Sequence, residues 1–201
     1  TSYGDSPYQP FSTFAGNPYF VSLDDLIEQG LLTEEECDEA QLGTNPSYVD
    51  YGKQFENRFT LLRTAYENDK KNDQTAFEAF VKEQAHWLPD YALFMAVKDL
   101  HDKKAWYEWD DAYRMREPEI IEKAKIELAD DICFHEHIQY WFLTQWVKLK
   151  AYANEQGIRI IGDMPIYVAI DSADAWTSPQ LFQFDEDLQP VRVAGCPPDA
   201  F

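Results

Sequence analysis

The stretch Gly157–Ala175, GIRIIGDMPIYVAIDSADA, constrains this chain more than any other. It follows a long amphipathic helical pattern. It opens on Gly157, the residue type that most readily ends a helix because it accepts a left-handed backbone. Ile158, Ile160 and Ile161 then form a short β-branched run, interrupted only by Arg159. Between a helix and a turn, such a run predicts a parallel strand buried on both faces. The strand would end at Gly162 and leave Asp163 just past its carboxyl end. In α/β barrels and open α/β sheets, ligands bind at that end. Two roles stay open for Asp163 on these grounds: accepting hydrogen bonds from a ligand, or capping the turn before Pro165.

The 201 residues suffice for one domain with a real core. The chain begins at Thr1 without a methionine and stops at Phe201 inside a proline-rich loop, so it reads as a piece of a longer protein. Its formal charge of −20 argues against nucleic acid and anionic membrane as partners, since both demand a basic patch. The 15% aromatic content must be largely core, but exposed rings would also suit a neutral ligand with flat apolar faces, such as a sugar. Cys37, Cys133 and Cys196 lie far apart, which predicts free thiols in a reducing compartment. We therefore expect a cytoplasmic protein. No apolar run is as long as a membrane span, and no signal peptide is visible.

Residues 1–20 are rich in glycine, proline, serine and aromatic side chains and read as an ordered loop that packs on something or lines a cleft. Ser22 caps a helix that Gly30 stops, and Thr33 with Glu36 forms a capping box. Tyr51, Phe55, Phe59, Leu62 and Tyr66 recur at helical spacing and predict one apolar stripe on a long helix. Asp73 caps the next helix, Leu88-Pro89 breaks it, and Asp90 caps a helix to Leu100. Residues 101–117 lack a period and read as loop. Pro118 opens a helix to about Leu128, and a second long helix runs from about Asp131 to Gln156. Leu181–Phe184 and Val191–Val193 read as short strands around the acidic turn at Asp185.

His135-Glu136-His137 is not a metal motif, because residues two apart on a helix point in different directions. The acidic turn lacks the glycine and the terminal glutamate of a calcium loop. No phosphate-binding loop, dinucleotide fingerprint or nucleophile elbow occurs. Asp5, Asp163 and Asp199 stand out as carboxylates in non-helical, aromatic or proline-rich segments, where a rigid loop could hold a pair of sugar hydroxyls. Each also fits an ordinary turn.

Five longer stretches carry a resemblance: YGDSPYQPFSTFAGNPYF at 3–20, WLPDYALFMAVK at 87–98, QYWFLTQWVKLKAYANEQGI at 139–158, GIRIIGDMPIYVAIDSADAW at 157–176 and VAGCPPDAF at 193–201. In order and spacing they resemble the 4-α-glucanotransferases, the amylomaltase or disproportionating-enzyme family. The resemblance implies an α/β fold, part of a (β/α)8 TIM barrel. Residues 1–156 would form a loop and mainly helical insertion between the second and third barrel strands, and 157–201 the third strand and its loop. It implies a retaining transfer of α-1,4-glucan segments to the 4-hydroxyl of an acceptor sugar, with no cofactor and no metal. Partners would be α-1,4-glucans, malto-oligosaccharides and the remainder of the parent chain. The catalytic nucleophile and acid/base would lie beyond residue 201. The resemblance assigns substrate binding to Tyr8, Asp163 and Asp199, to Ser6 in the same motif as Tyr8, and to Tyr3 and Tyr51 at a second glucan groove. Tyr51 has helix packing as its other role. Two departures stand out: Ala200 follows Asp199 where an aromatic is usual, and Asp110 follows Trp109 where proline is common. A hydrolytic α-glucanase and a non-catalytic helical carbohydrate-binding module are the other readings. One strand cannot close a barrel, so helices of an isolated piece should leave apolar faces uncovered.

Overall fold

The structure, a computed structural model, describes residues 6, 8–163 and 167–192. These divide into two compact units. The first takes its described residues from Thr1–Phe14, Asp90–Ala129 and Met164–Phe201, and the second from Ala15–Pro89 and Asp130–Asp163. The described residues are mainly helical.

The second unit contains α1 (Leu23–Glu28), α2 (Glu34–Glu39), α3 (Tyr51–Lys53), α4 (Phe59–Asp69), α5 (Thr75–Glu83) and nearly all of α9 (Ala129–Glu155). The local signals act as expected. Ser22 caps α1 through the Asp25 amide, and Thr33 and Glu36 form the capping box of α2. Gly30 and Gly157 end α1 and α9 at positive φ. At both ends the amide after the glycine bonds back to the last turn, Leu31 to Leu26 O and Ile158 to Ala153 O, each at 2.9 Å. Asp73 acts one residue outside the expected position. It stands before the cap residue Gln74 and accepts from the Thr75 amide and hydroxyl. The core gathers Val21, Leu26, Leu31 and Leu32 with Leu62, Ala65 and Tyr66 of α4 and Phe134, Ile138 and Trp141 of α9.

Helix α9 also clamps the loop before α1. The amide of Gln139 accepts from Gly16 N at 2.8 Å and donates to Gly16 O at 3.1 Å. Gln145 repeats the pattern on Ser22, at 2.7 and 3.2 Å. Each glutamine pairs with the loop backbone as a neighbouring strand would, so the loop is ordered without a sheet. Gly16 has no room for a side chain, because a Cβ there would lie 1.9 Å from the Phe142 ring.

The first unit contains α6 (Leu88–Leu100) from Asp90 on, α7 (Asp111–Arg114), α8 (Pro118–Glu127) and α10 (Ala173–Thr177). Residues Tyr91–Val97 of α6 are all buried, which fits their nearly unbroken apolar sequence. Phe94, Trp109 and Trp176 form an aromatic triangle with ring centroids 5.4–5.9 Å apart. The indole N–H groups of Trp106, Trp109 and Trp176 donate to the carbonyls of Ile170, Lys104 and Tyr113. Burying an indole without such a partner is costly. Much of the aromatic content is therefore core.

Several expectations are corrected. Residues 158–162 form no strand, and Ile158, Ile160 and Ile161 are exposed, Ile161 at 92%. A strand is held by its ladder, and no partner strand exists among the described residues. Val147, Leu149 and Tyr152 at the end of α9 are exposed too, in keeping with the expected uncovered apolar faces. Near Asp185 the structure has one antiparallel bridge, Phe184–Pro190, rather than two strands, and Pro179–Leu181 is a 3-10 turn. Val193 lies outside the described residues. Pro89 sits inside the first turn of α6, where its missing N–H costs little, so the helix starts at Leu88 rather than after Asp90. Residues 101–117 hold a 3-10 turn at Trp106–Glu108 and the short α7. The predicted apolar stripe from Tyr51 is interrupted by a π-turn at Gln54–Arg58. One extra residue rotates what precedes it by about 100°, one residue of an α-helix. Leu62 and Tyr66 remain buried while Tyr51 and Phe55 face solvent.

Candidate functional site

Ser6 and Tyr8 lie in the first unit, on a tight turn. The Tyr8 amide donates to Ser6 Oγ at 3.3 Å, and the Gln9 amide to Ser6 O at 3.4 Å. The hydroxyl of Ser6 thus sets the backbone that presents Tyr8, a residue 54% exposed. Pro10 follows, and Phe11 is the first anchored residue after it. Its carbonyl accepts from Ala173 N at 2.8 Å, and its ring stands 6.2 Å from Phe94.

Asp163 lies in the second unit, at the end of the exposed isoleucine segment, and is itself exposed. Tyr3, Asp5, Cys196, Asp199 and Ala200 lie outside the described residues, as does Pro165. Asp110, the other departure, has its carboxylate 3.7 Å from His101 Nε2. Its carbonyl starts α7 by accepting from Tyr113 and Arg114.

Tyr51 is 48% exposed at the start of α3, where Asp50 caps the helix through the Lys53 amide. Its ring lies 6.2 Å from Tyr19, which in turn packs on Phe59. Beside it is an open groove of about 450 Å³, lined by residues 42–46, Tyr48, Val49, Asp50 and Gln54. Its wall is braced by the π-turn: Gln54 Nε2 donates to Leu42 O at 2.8 Å, and Asn57 to Ala40 O at 2.7 Å. Arg58, buried beneath, donates to Gln54 and to Val21 O. Tyr48 on this groove is 68% exposed.

The histidines of the HEH segment are core residues. His137 stacks on Phe77 at 3.7 Å, with Nδ1 2.8 Å from Cys133 O and Nε2 3.0 Å from Gln74 Oε1. Burial pulls its pKa below the usual range, against the favourable carbonyl of Cys133. Glu136, between them, has its carboxyl pushed up to about 7 by burial. Cys37 and Cys133 are free thiols whose pKa values burial raises, so neither is set up as a reactive thiolate. No helix among the described residues is long and apolar enough to cross a membrane.

The sequence profile of the 4-alpha-glucanotransferases matches residues 1–201. The chain belongs to that family. It is 46% identical over 202 residues to the 4-alpha-glucanotransferase of Clostridium butyricum, covering 100% of this chain and 42% of that protein. To the Thermus thermophilus 4-alpha-glucanotransferase it is 45% identical over 205 residues, covering 100% and 40%. The solved structure of amylomaltase from Streptococcus agalactiae in complex with acarbose superimposes with a TM-score of 0.94 at 43% identity, covering 100% of this chain and 41% of that one. The chain thus spans about two-fifths of the length of these 4-alpha-glucanotransferases.

Proposed function

We propose that this chain supplies substrate-gripping side chains to a 4-α-glucanotransferase, and that the nucleophile and acid/base of the reaction are not among its 201 residues. Tyr8, Ser6, Asp163 and Asp199 hold the α-1,4-glucan near the scissile bond. Tyr3 and Tyr51 bind glucan at a second groove. In this reading residues 158–162 are the third strand of a (β/α)8 barrel, and their exposed isoleucines await the neighbouring strands of the whole protein, which works in the cytoplasm. The transfer proceeds by double displacement with retention, so that the 4-hydroxyl of an acceptor sugar takes the place of water. The match of the family profile to the whole chain, residues 1–201, carries this reading. The exposed aromatic rings of Tyr8 and Tyr51 support it, because a pyranose presents an apolar face to such a ring.

The test uses the protein at the full length its gene encodes, incubated with maltotriose. The expected products are glucose and oligomers longer than maltotriose, without a net gain of reducing ends. A gain of reducing ends with no longer oligomers would make the enzyme a hydrolase. No change at all would remove the activity.

A further inference from the structure

The loop that carries Tyr8 is short of regular structure, yet it is pinned at two points a few residues downstream, both within the first unit. The carboxylate of Asp174, in the first turn of α10, accepts two hydrogen bonds from one residue of that loop: from Thr13 N and from Thr13 Oγ1, both at 2.9 Å. The second point is Phe11. Its carbonyl takes the Ala173 amide at 2.8 Å, and its ring lies 4.9 Å from the ammonium of Lys98. Lys98 is 3% exposed and is held by Asp171 Oδ2 at 2.6 Å and by Lys104 O at 2.8 Å. Asp171 in turn accepts from Trp106 N at 3.2 Å. Residues 171–174 thus tie the loop down from a rigid aromatic core.

The chain between Tyr8 and Phe11 contains only Gln9 and Pro10, and Pro10 has a fixed φ. Little freedom separates the pinned residues from the presented ring, so the place of Tyr8 depends on where Thr13 and Phe11 are held. Neither Asp174 nor Thr13 is needed to complete a core: both bonds of the pair are solvent-exposed. A carboxylate that spends both bonds on one exposed loop residue 161 positions away is placed to fix that loop.

We propose that Asp174, through Thr13, is a positioning residue that sets the orientation of Tyr8 toward bound glucan. This rests on the reading of Tyr8 as a substrate-binding residue. Asp174 itself touches no substrate.

A mutant cycle in the protein at its full gene-encoded length, assayed by disproportionation of maltotriose, tests the proposal. Asp174→Ala removes both acceptors, whereas an amide at this position could still take the Thr13 N–H and donate to the Thr13 hydroxyl. Asp174→Ala should lower kcat/KM by about tenfold, since small misplacements of a positioning group cost up to about a hundredfold. In a Tyr8→Ala background the same substitution should cost nothing more, because the group it positions is gone. Factors that multiply in the double variant, or an Asp174→Ala protein with unchanged kinetics, would overturn the proposal while leaving Tyr8 in the site. A Tyr8→Ala protein of full activity would remove the reading of Tyr8 and the proposal with it. Should Asp174→Ala fail to fold, Thr13→Val and Thr13→Ser carry the same cycle. Valine, which lacks the hydroxyl, should lose activity only when Tyr8 is present. Serine, which keeps it, should restore activity, and equal losses in both would overturn the proposal.

Discussion

Gly16 shows how one atom can decide a loop. A methyl group there meets the Phe142 ring at 1.9 Å, while the Gly16 backbone is held on both sides by Gln139. Gly16→Ala should destabilise the chain by about 2 kcal/mol, as overpacking does. Chemical unfolding should show the loss, and Phe142→Ala in the same chain should recover part of it. Glu136 makes a pH-dependent case. Its folded pKa, about 7, lies above the unfolded value of 4.5, so the fold prefers the protonated acid. Its contribution is complete below about pH 4.5 and is lost as pH rises through about 7. Glu136→Gln should therefore raise the melting temperature at pH 8 and leave it nearly unchanged at pH 4, as thermal unfolding at the two pH values would show. Nothing in the HEH triplet announced this, because burial is decided by what packs over α9.

At the level of elements, helix ends were the most legible features. Ser22, Thr33 with Glu36, Gly30 and Gly157 each act within a few residues of themselves, and local geometry is enough to place them. The π-turn at Gln54–Arg58 was not legible. The spacing of Tyr51, Phe55, Phe59, Leu62 and Tyr66 fits a regular helix, yet Arg58 is drawn inward to Val21 O and the helix gains a residue around it. Tyr51 is about half exposed as a result, with its ring against Tyr19. The ion pair of Lys98 on α6 with Asp171 is a second element-level device. Removing one partner of such a buried pair leaves a charge uncompensated. Lys98→Met should cost about 3 kcal/mol, read by chemical denaturation. Asp171 retains Trp106 N as a donor, which limits the loss.

The whole molecule carries a formal charge of −20, and its self-repulsion opposes the compact state. Adding salt up to about 0.5 M should raise the melting temperature by screening that charge, and a flat response would show that local pairs have already absorbed it. Ile161 is nearly fully exposed beside Ile158 and Ile160. Ile161→Lys should make the 201-residue chain more soluble without lowering its melting temperature, measured by sedimentation and thermal unfolding. In the full-length protein, where we propose that this segment joins a barrel, the same change should be destabilising. The amino-acid sequence by itself determined most of the longer helices, the helix ends at Ser22, Gly30, Thr33 and Gly157, the family and the residues expected to meet sugar, because these depend on patterns a few residues long or on whole motifs retained in order. Only the tertiary structure decided which aromatic rings are core and which face solvent, that Gln139 and Gln145 act as surrogate strands, and that Asp174 grips Thr13. The glutamine and aspartate contacts join residues more than a hundred positions apart, and the strength of all of them comes from the water excluded and the backbone groups satisfied when distant segments meet.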